Sequence, residues 1–179
     1  VRFFPCARKV PQQAAAPKET PKIVDMDKFL KKNPSLFHQI EQGKAAILYP
    51  GDGMHMLLLG ETGVGKSLFA DLLHKYGIQS GKLAESSPFI QFNCADYAHN
   101  PQLLMSQLFG HTKGAYTGAE TNKTGLLEKA NGGILFLDEI HRLPIEGQEM
   151  LFTYIDRGVF RPLGESEKDN NANLIINDT

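Results

Sequence analysis

The stretch GETGVGKS, Gly60 to Ser67, constrains the fold of this chain more than any other. It fits the pattern G-x-x-x-x-G-K-[ST] and stands between an apolar run, MHMLLLG, and a run with helical spacing, SLFADLLHKYG. That strand, turn and helix setting is what gives the pattern physical meaning. Gly60, Gly63 and Gly65 allow the backbone to bend, with Glu61, Thr62 and Val64 between them, so that successive N–H groups face inward as an anion-binding nest. The dipole of the following helix adds positive potential there. In such a loop Lys66 reaches the β- and γ-phosphates and the Ser67 hydroxyl binds Mg²⁺, which implies a nucleoside triphosphate, ATP, rather than a dinucleotide.

A phosphate cradle of this kind needs an acidic partner, and in a parallel sheet that partner belongs beyond the carboxyl end of a buried strand. The run ILFLDE supplies it, 72 residues after Lys66. Asp138 is suited to hold Mg²⁺ through coordinated waters, and Glu139, aimed differently by its position one residue on, to polarise the water that attacks the γ-phosphate. A Glu directly after the metal-binding Asp favours water over a substrate hydroxyl, so hydrolysis is preferred to a P-loop kinase reaction. A nucleotide-dependent binding module with little turnover stays open at this point.

The rest of the chain is organised around these two motifs. At 179 residues it fits one ordinary domain. Apolar spacing predicts a helix from Ser35 to about Leu48, a strand ending at Gly60, and a helix stopped by Gly77. FIQFNC reads as a second strand, and a helix follows with Asn100 as N-cap, Pro101 at its first position and Gly110 as stop. TGLLEKANGG gives one or two helical turns, GILFLDE a third strand, LPIEGQEMLFTYIDRG a helix begun at Pro144, and NLII a fourth strand. Buried strands alternating with helices predict an α/β fold with a mainly parallel sheet flanked by helices. Between the helix ending at Gly110 and the TGLL turn lies HTKGAYTGAE, which has no core periodicity and no catalytic groups and reads as a flexible tip.

Composition narrows the setting. Nineteen Lys plus Arg against 20 Asp plus Glu argue against a binder that uses its whole surface for nucleic acid. Cys6 and Cys94, 88 positions apart and without a CxxC pattern, fit a reducing compartment, and the six scattered histidines show no zinc spacing. No apolar run approaches the roughly 20 residues needed to span a bilayer, so a cytoplasmic protein without a membrane segment is expected. Residues 1–22 hold four of the ten prolines and five basic residues against one acidic, a composition that predicts a disordered linker or basic arm ahead of a folded unit over 23–179. The start at Val1 and the stop at Thr179 just after an apolar run suggest a fragment.

With these residues placed, the chain resembles the AAA+ domain of bacterial enhancer-binding proteins, the sigma-54-dependent transcriptional activators. GETGVGKS, FNCADY, LFGHTKGAYTGAE, NGGILFLDEIHRLP and DRGVFRPLGE occur in that family's order across about residues 33–179. The stretch AILYPGDGMHMLLLGETGVGKSLFADLL is most similar to the branch typified by the levulose-operon activator, whose members attach phosphotransferase-system regulatory domains. The resemblance implies a P-loop NTPase α/β subdomain without its helical lid, an ATPase that remodels the closed complex of sigma-54 RNA polymerase. It implies self-association in a hexameric ring and contact with DNA through a module outside this chain. A non-transcriptional AAA+ remodeller is the alternative.

Residue by residue, the resemblance makes Gly114, Ala115, Tyr116, Thr117, Gly118 and Ala119 the loop that touches sigma-54, with Tyr116 where the family usually has Phe and Thr117 as the key contact. Asn93 aligns with the polar residue that holds the catalytic Glu, here Glu139, in an inactive pose; an Asn at a strand end can also cap a turn. Thr179 falls at the family's sensor I position, although Asn177-Asp178 stand where small residues are usual. Pro162 occupies a position where many relatives have Arg. The arginine fingers and sensor II would lie beyond Thr179, which implies slow hydrolysis by this chain alone.

Overall fold

A computed structural model describes residues 2–3 and 24–178. In chain order its elements are β1 (Arg2–Phe3), α1 (Val24–Lys32), α2 (Phe37–Leu48), β2 (Met56–Leu59), α3 (Lys66–Gln79), β3 (Phe89–Asn93), α4 (Pro101–Phe109), β4 (Gly110–His111), β5 (Lys123–Thr124), α5 (Leu126–Lys129), β6 (Ile134–Asp138), α6 (Ile145–Arg157), β7 (Val159–Phe160), β8 (Lys168–Asp169) and β9 (Asn173–Asp178). The main sheet runs β1-β2-β9-β6-β3, with β2, β9, β6 and β3 parallel and β1 antiparallel on the β2 edge. Apart from Arg2 and Phe3, the expected linker over 1–22 lies outside the described residues, as does Thr179.

The strands are apolar runs because the sheet is covered on both faces. Along β6 the side chains alternate between two cores. Ile134 and Phe136 join Met56, Leu58, Ile175 and the inner residues of α1, α2 and α3, including Met26, Ile40 and Leu73. Leu135 and Leu137 face the opposite way, into a cluster with Leu174, Leu104, Leu108, Leu127 and Tyr154. Among the described residues no helix is long and apolar enough to cross a membrane.

The helix caps follow the expected chemistry in α4, where Asn100 Oδ1 accepts the Leu103 N–H at 3.0 Å and Gly110 closes the C-terminus at φ 81°. In α3 the expectation fails. Gly77 does not stop the helix, which continues to Gln79 before the chain turns at Gly81 with φ 70°. Gly77 is buried because Leu83 folds back onto it: a Cβ there would stand 2.6 Å from Leu83 Cδ1. The glycine serves close packing rather than termination. Helix α1, the short β4–β5 pair and β8 have no counterpart in the sequence reading, whereas β7 falls in the strand-like run VFR.

Candidate nucleotide site and partner loop

The order of the parallel strands brings the two motifs to one edge. β2 delivers Gly60 at its carboxyl end, β6 delivers Asp138 and Glu139, and β9 lies between them. Asn93 ends β3 and pairs in register with Asp138. This is the end of a parallel sheet where ligands are received.

Within the loop, Gly63 and Gly65 adopt φ 82° and 90°, a region that favours glycine. A Cβ at either would meet nothing within 4 Å, so dihedral angle rather than space demands the glycine. Helix α3 then begins at Lys66 without a side-chain cap and without an acidic residue in its first turn, leaving the early N–H donors open to an anion. Among the described residues the backbone N–H groups of Gly60 to Ser67 make a single bond to a backbone carbonyl, Val64 to Glu61 at 3.5 Å. Lys66 Nζ folds over the loop and donates to Gly60 O at 2.5 Å and Glu61 O at 2.9 Å. Ser67 and Thr62 are exposed, and Val64 is 58% exposed.

The acidic pair is held with more constraint than its sequence suggests. Glu139 has φ 54° and ψ 47°, and among the described residues it alone of the non-glycines has positive φ. A left-handed Glu costs backbone energy that the surroundings must offset, a feature that clusters at functional sites. The turn separates the two carboxylates: Asp138 Oδ1 accepts the Glu139 N–H at 3.0 Å, while Glu139 Oε2 lies 3.4 Å from His141 Nε2. Asp138 Oδ1 also accepts from Asn177 Nδ2 on β9. Beneath the pair, Cys94 is fully buried, and its thiol is pushed up to about 12 by burial first and then by the charges of Asp138 and Glu139. It stays a neutral thiol at physiological pH.

Asn93 caps the short turn Cys94–Tyr97, its Oδ1 accepting the Ala95 N–H at 2.9 Å. The cap uses only the oxygen of the amide. The hydroxyl of Ser67 and the carboxylate of Asp138 are the hard oxygen donors that Mg²⁺ prefers. A buried amide oxygen beside Asp138, Asn177 Oδ1, has no partner in the described chain, which fits a site completed by hydrated cation.

The segment from Gly114 to Ala119 is not joined to these groups. It is the tip of a hairpin whose base is the antiparallel pair β4–β5. Its turns are internally bonded, Ala115 N to Thr112 O at 3.1 Å, Ala119 N to Tyr116 O at 3.0 Å and Gly114 N to Ala119 O at 2.9 Å. The tip read from sequence is hydrogen-bonded into turns. Tyr116 packs edge-on against His111, ring centroids 5.0 Å apart, and His111 Nδ1 lies 2.7 Å from Ser106 Oγ in the interior. Thr117 and Gly118 are exposed and Ala119 is buried. The base is fastened to a second turn: Thr112 N donates to Leu163 O and Leu163 N to Gly110 O, both at 3.0 Å. Gly164 presses on it so closely that a Cβ would sit 2.6 Å from Thr112 Oγ1. Sequence reasoning gave Leu163 and Gly164 no role, because what they touch lies some fifty positions away.

Comparison with known proteins agrees with this arrangement. The family described as Sigma-54 interaction domain matches residues 29–179. The transcriptional regulatory protein LevR of Bacillus subtilis is 61% identical over 142 residues, and the transcriptional regulatory protein DagR of Salmonella typhimurium 52% over 140. Those alignments take in 79% and 78% of this chain but 15% of each relative. Among solved structures, NtrX from Brucella abortus in complex with ADP superposes with a TM-score of 0.58 at 25% identity, over 86% of this chain and 33% of that one.

Proposed function

Since the chain belongs to the sigma-54 interaction domain family, we propose that it binds ATP with Mg²⁺ and hydrolyses it, and that its Gly114–Ala119 loop delivers the resulting motion to sigma-54. The observation that carries this reading is the meeting of the Gly60–Ser67 cradle and the Asp138–Glu139 pair at the carboxyl edge of one parallel sheet.

In this reading the backbone from Gly60 through Glu61, Thr62, Gly63, Val64 and Gly65 to Lys66 grips the phosphates, and Lys66 Nζ leaves the Gly60 and Glu61 carbonyls for the β- and γ-phosphate oxygens. Ser67 and Asp138 hold the cation, which supplies charge neutralisation at the transferring phosphoryl group. Glu139 orients the attacking water and takes its proton as the water oxygen bonds to the γ-phosphorus, while the bond from that phosphorus to the β,γ-bridging oxygen breaks and ADP leaves from inorganic phosphate. Asn93 adjoins this pair in register, and its amide nitrogen, which the turn cap does not use, is the group through which it senses Glu139. Nucleotide binding by NtrX, whose structures include an ADP complex, supports the ligand assignment.

The wider role extends the same proposal. The protein works in the cytoplasm as a hexameric ring, remodels the closed complex of sigma-54 RNA polymerase, contacts DNA through a module outside residues 1–179, and answers to phosphotransferase-system regulatory domains, as in the LevR-like branch. Residues 1–22 serve as a linking arm and 23–179 as the ATPase subdomain. The direct test is Glu139→Ala. ATP affinity should stay at the level of the unaltered protein while hydrolysis falls by about 10² to 10⁴, the range for loss of a positioned general base; persistent hydrolysis would remove Glu139 from this role.

A further inference from the structure

Asn177 stands on β9, between β2, which leads into the Gly60–Ser67 loop, and β6, which ends at Asp138. Its side chain is 3% exposed, and its Nδ2 donates to Asp138 Oδ1. That same oxygen accepts the Glu139 N–H at 3.0 Å, so both bonds land on Oδ1 and neither uses Oδ2. The orientation of the Asn177 amide is dictated by its neighbour. An ionised carboxylate can only accept, so the amide nitrogen must face it and the amide oxygen must face away. Among the described residues that oxygen is buried with no hydrogen-bond partner.

A purely structural tie between β9 and β6 would need the nitrogen alone. The two strands are already paired by backbone from Ile134↔Asn173 to Leu137↔Ile176. A buried acceptor left without a donor is uncommon in folded proteins and points to a group other than the described residues. Mg²⁺ held by one or two protein oxygens keeps several of its waters, and each water carries hydrogens in need of an acceptor.

We propose that Asn177 is a positioning residue of the divalent-cation site: its nitrogen fixes the Asp138 carboxylate, and its oxygen accepts a hydrogen bond from a water on the cation. This rests on the reading of Gly60–Ser67 and Asp138 as a Mg²⁺-triphosphate site. Outer partners of this type orient the ligands, and their loss weakens metal binding by about 10- to 100-fold.

The test uses the full chain and a fluorescent ATP analogue, with Mg²⁺ titrated from an EDTA baseline. Asn177→Leu keeps the branched outline, though it is bulkier, and removes both polar atoms; Asn177→Ala serves if leucine packs poorly, and thermal unfolding checks that each variant is folded. The half-saturating Mg²⁺ concentration should rise about 10- to 100-fold, with affinity for the metal-free analogue unchanged. An unmoved Mg²⁺ midpoint, or an equal loss of metal-free affinity, overturns the proposal. Asp138→Ala is the control that separates the two readings. If it shifts the midpoint and the Asn177 variants do not, the role of Asn177 alone is wrong; if it too leaves the midpoint in place, the cation site is misassigned and both readings fall.

Discussion

Two glycine-rich loops of this chain, Gly60–Ser67 and Thr112–Glu120, look alike in composition and are folded by opposite means. In the first, the glycines touch nothing a Cβ would meet apart from Gly60 near Val64, and among the described residues the backbone donors make one bond to a backbone carbonyl. In the second, the N–H groups of Gly114, Ala115, Ala119 and Glu120 bond within the loop's own turns, and its base is stapled to Leu163 and pressed by Gly164. Open donors make a cradle for an anion; satisfied donors make a shaped tip that carries its side chains outward. What separates the two loops is therefore the disposition of their hydrogen bonds, not their glycine content.

The largest effect that should divide the loops is Lys66→Ala. The Lys66 ammonium is the charged donor of the cradle, and a hydrogen bond to a charged group is worth about 1.5–3 kcal/mol, or roughly 10- to 100-fold in triphosphate affinity. Fluorescent nucleotide titration should show that loss, while Thr117→Ala leaves nucleotide affinity unchanged and abolishes capture of purified sigma-54 in the presence of a transition-state analogue. If either substitution damaged both functions alike, the two loops would not be separable.

Next in size is Gly164→Val. At φ 80° a β-branched residue is strained, and its Cβ would meet Thr112 Oγ1 at 2.6 Å and Ala115 Cβ at 2.9 Å, a combination worth about 1–3 kcal/mol. The strain falls on the hairpin, so sigma-54 capture should weaken while ATP binding is preserved. Intact capture would mean that the contact with the Gly164 turn does not shape the tip.

How far these distinctions were readable beforehand depends on the reach of the interaction that makes them. The strands at 56–59, 134–138 and 173–178 were legible from their short apolar runs, the edge strand at 89–93 from alternation, with Gln91 exposed, and the cradle because its glycines, Lys66 and Ser67 are contiguous. Helix α1 escaped because VDMDKFLKK is short and charged, and docks through a few residues such as Met26, whereas a helix of that length has little stability of its own. Gly77 was misread because its reason, Leu83, lies past the helix end. Two-residue strands such as β4 and β5 are below the length at which alternation can be seen. The bond from Asn177 to Asp138 spans 39 positions and follows from a strand order that local pattern does not specify.

The cradle end also sits on a buried layer, and Cys94 reports on it. Its thiol is pushed up from 9.0 to about 12 by burial and by Asp138 and Glu139. A raised folded value means that the neutral form contributes stability fully below about pH 9, and that this contribution is lost as pH rises toward 12. At pH 10, one unit above the reference, the loss attributable to Cys94 is about 1.4 kcal/mol. Denaturant unfolding at pH 8 and pH 10 should show a steeper decline in the unaltered protein than in Cys94→Ala. Equal slopes would mean that water reaches the thiol beneath the acidic pair.

The smallest effect belongs to Tyr116→Phe, and it is the finest probe of the presenting loop. Tyr116 meets His111 through its ring, edge to face at 5.0 Å, and such a contact is worth about 0.5–1.5 kcal/mol without any help from the hydroxyl. Phe keeps the ring, so stability should change by less than about 0.5 kcal/mol, the usual span for substitutions that touch no such feature, and sigma-54 capture should be retained. Tyr116→Ala removes the ring and should lose both the contact and the capture. The pair of substitutions asks whether the tip works through a shape held from behind by His111 or through the hydroxyl it offers in front. If Phe matched Ala rather than Tyr in capture, the hydroxyl would be the contact, and the folded turn only its support.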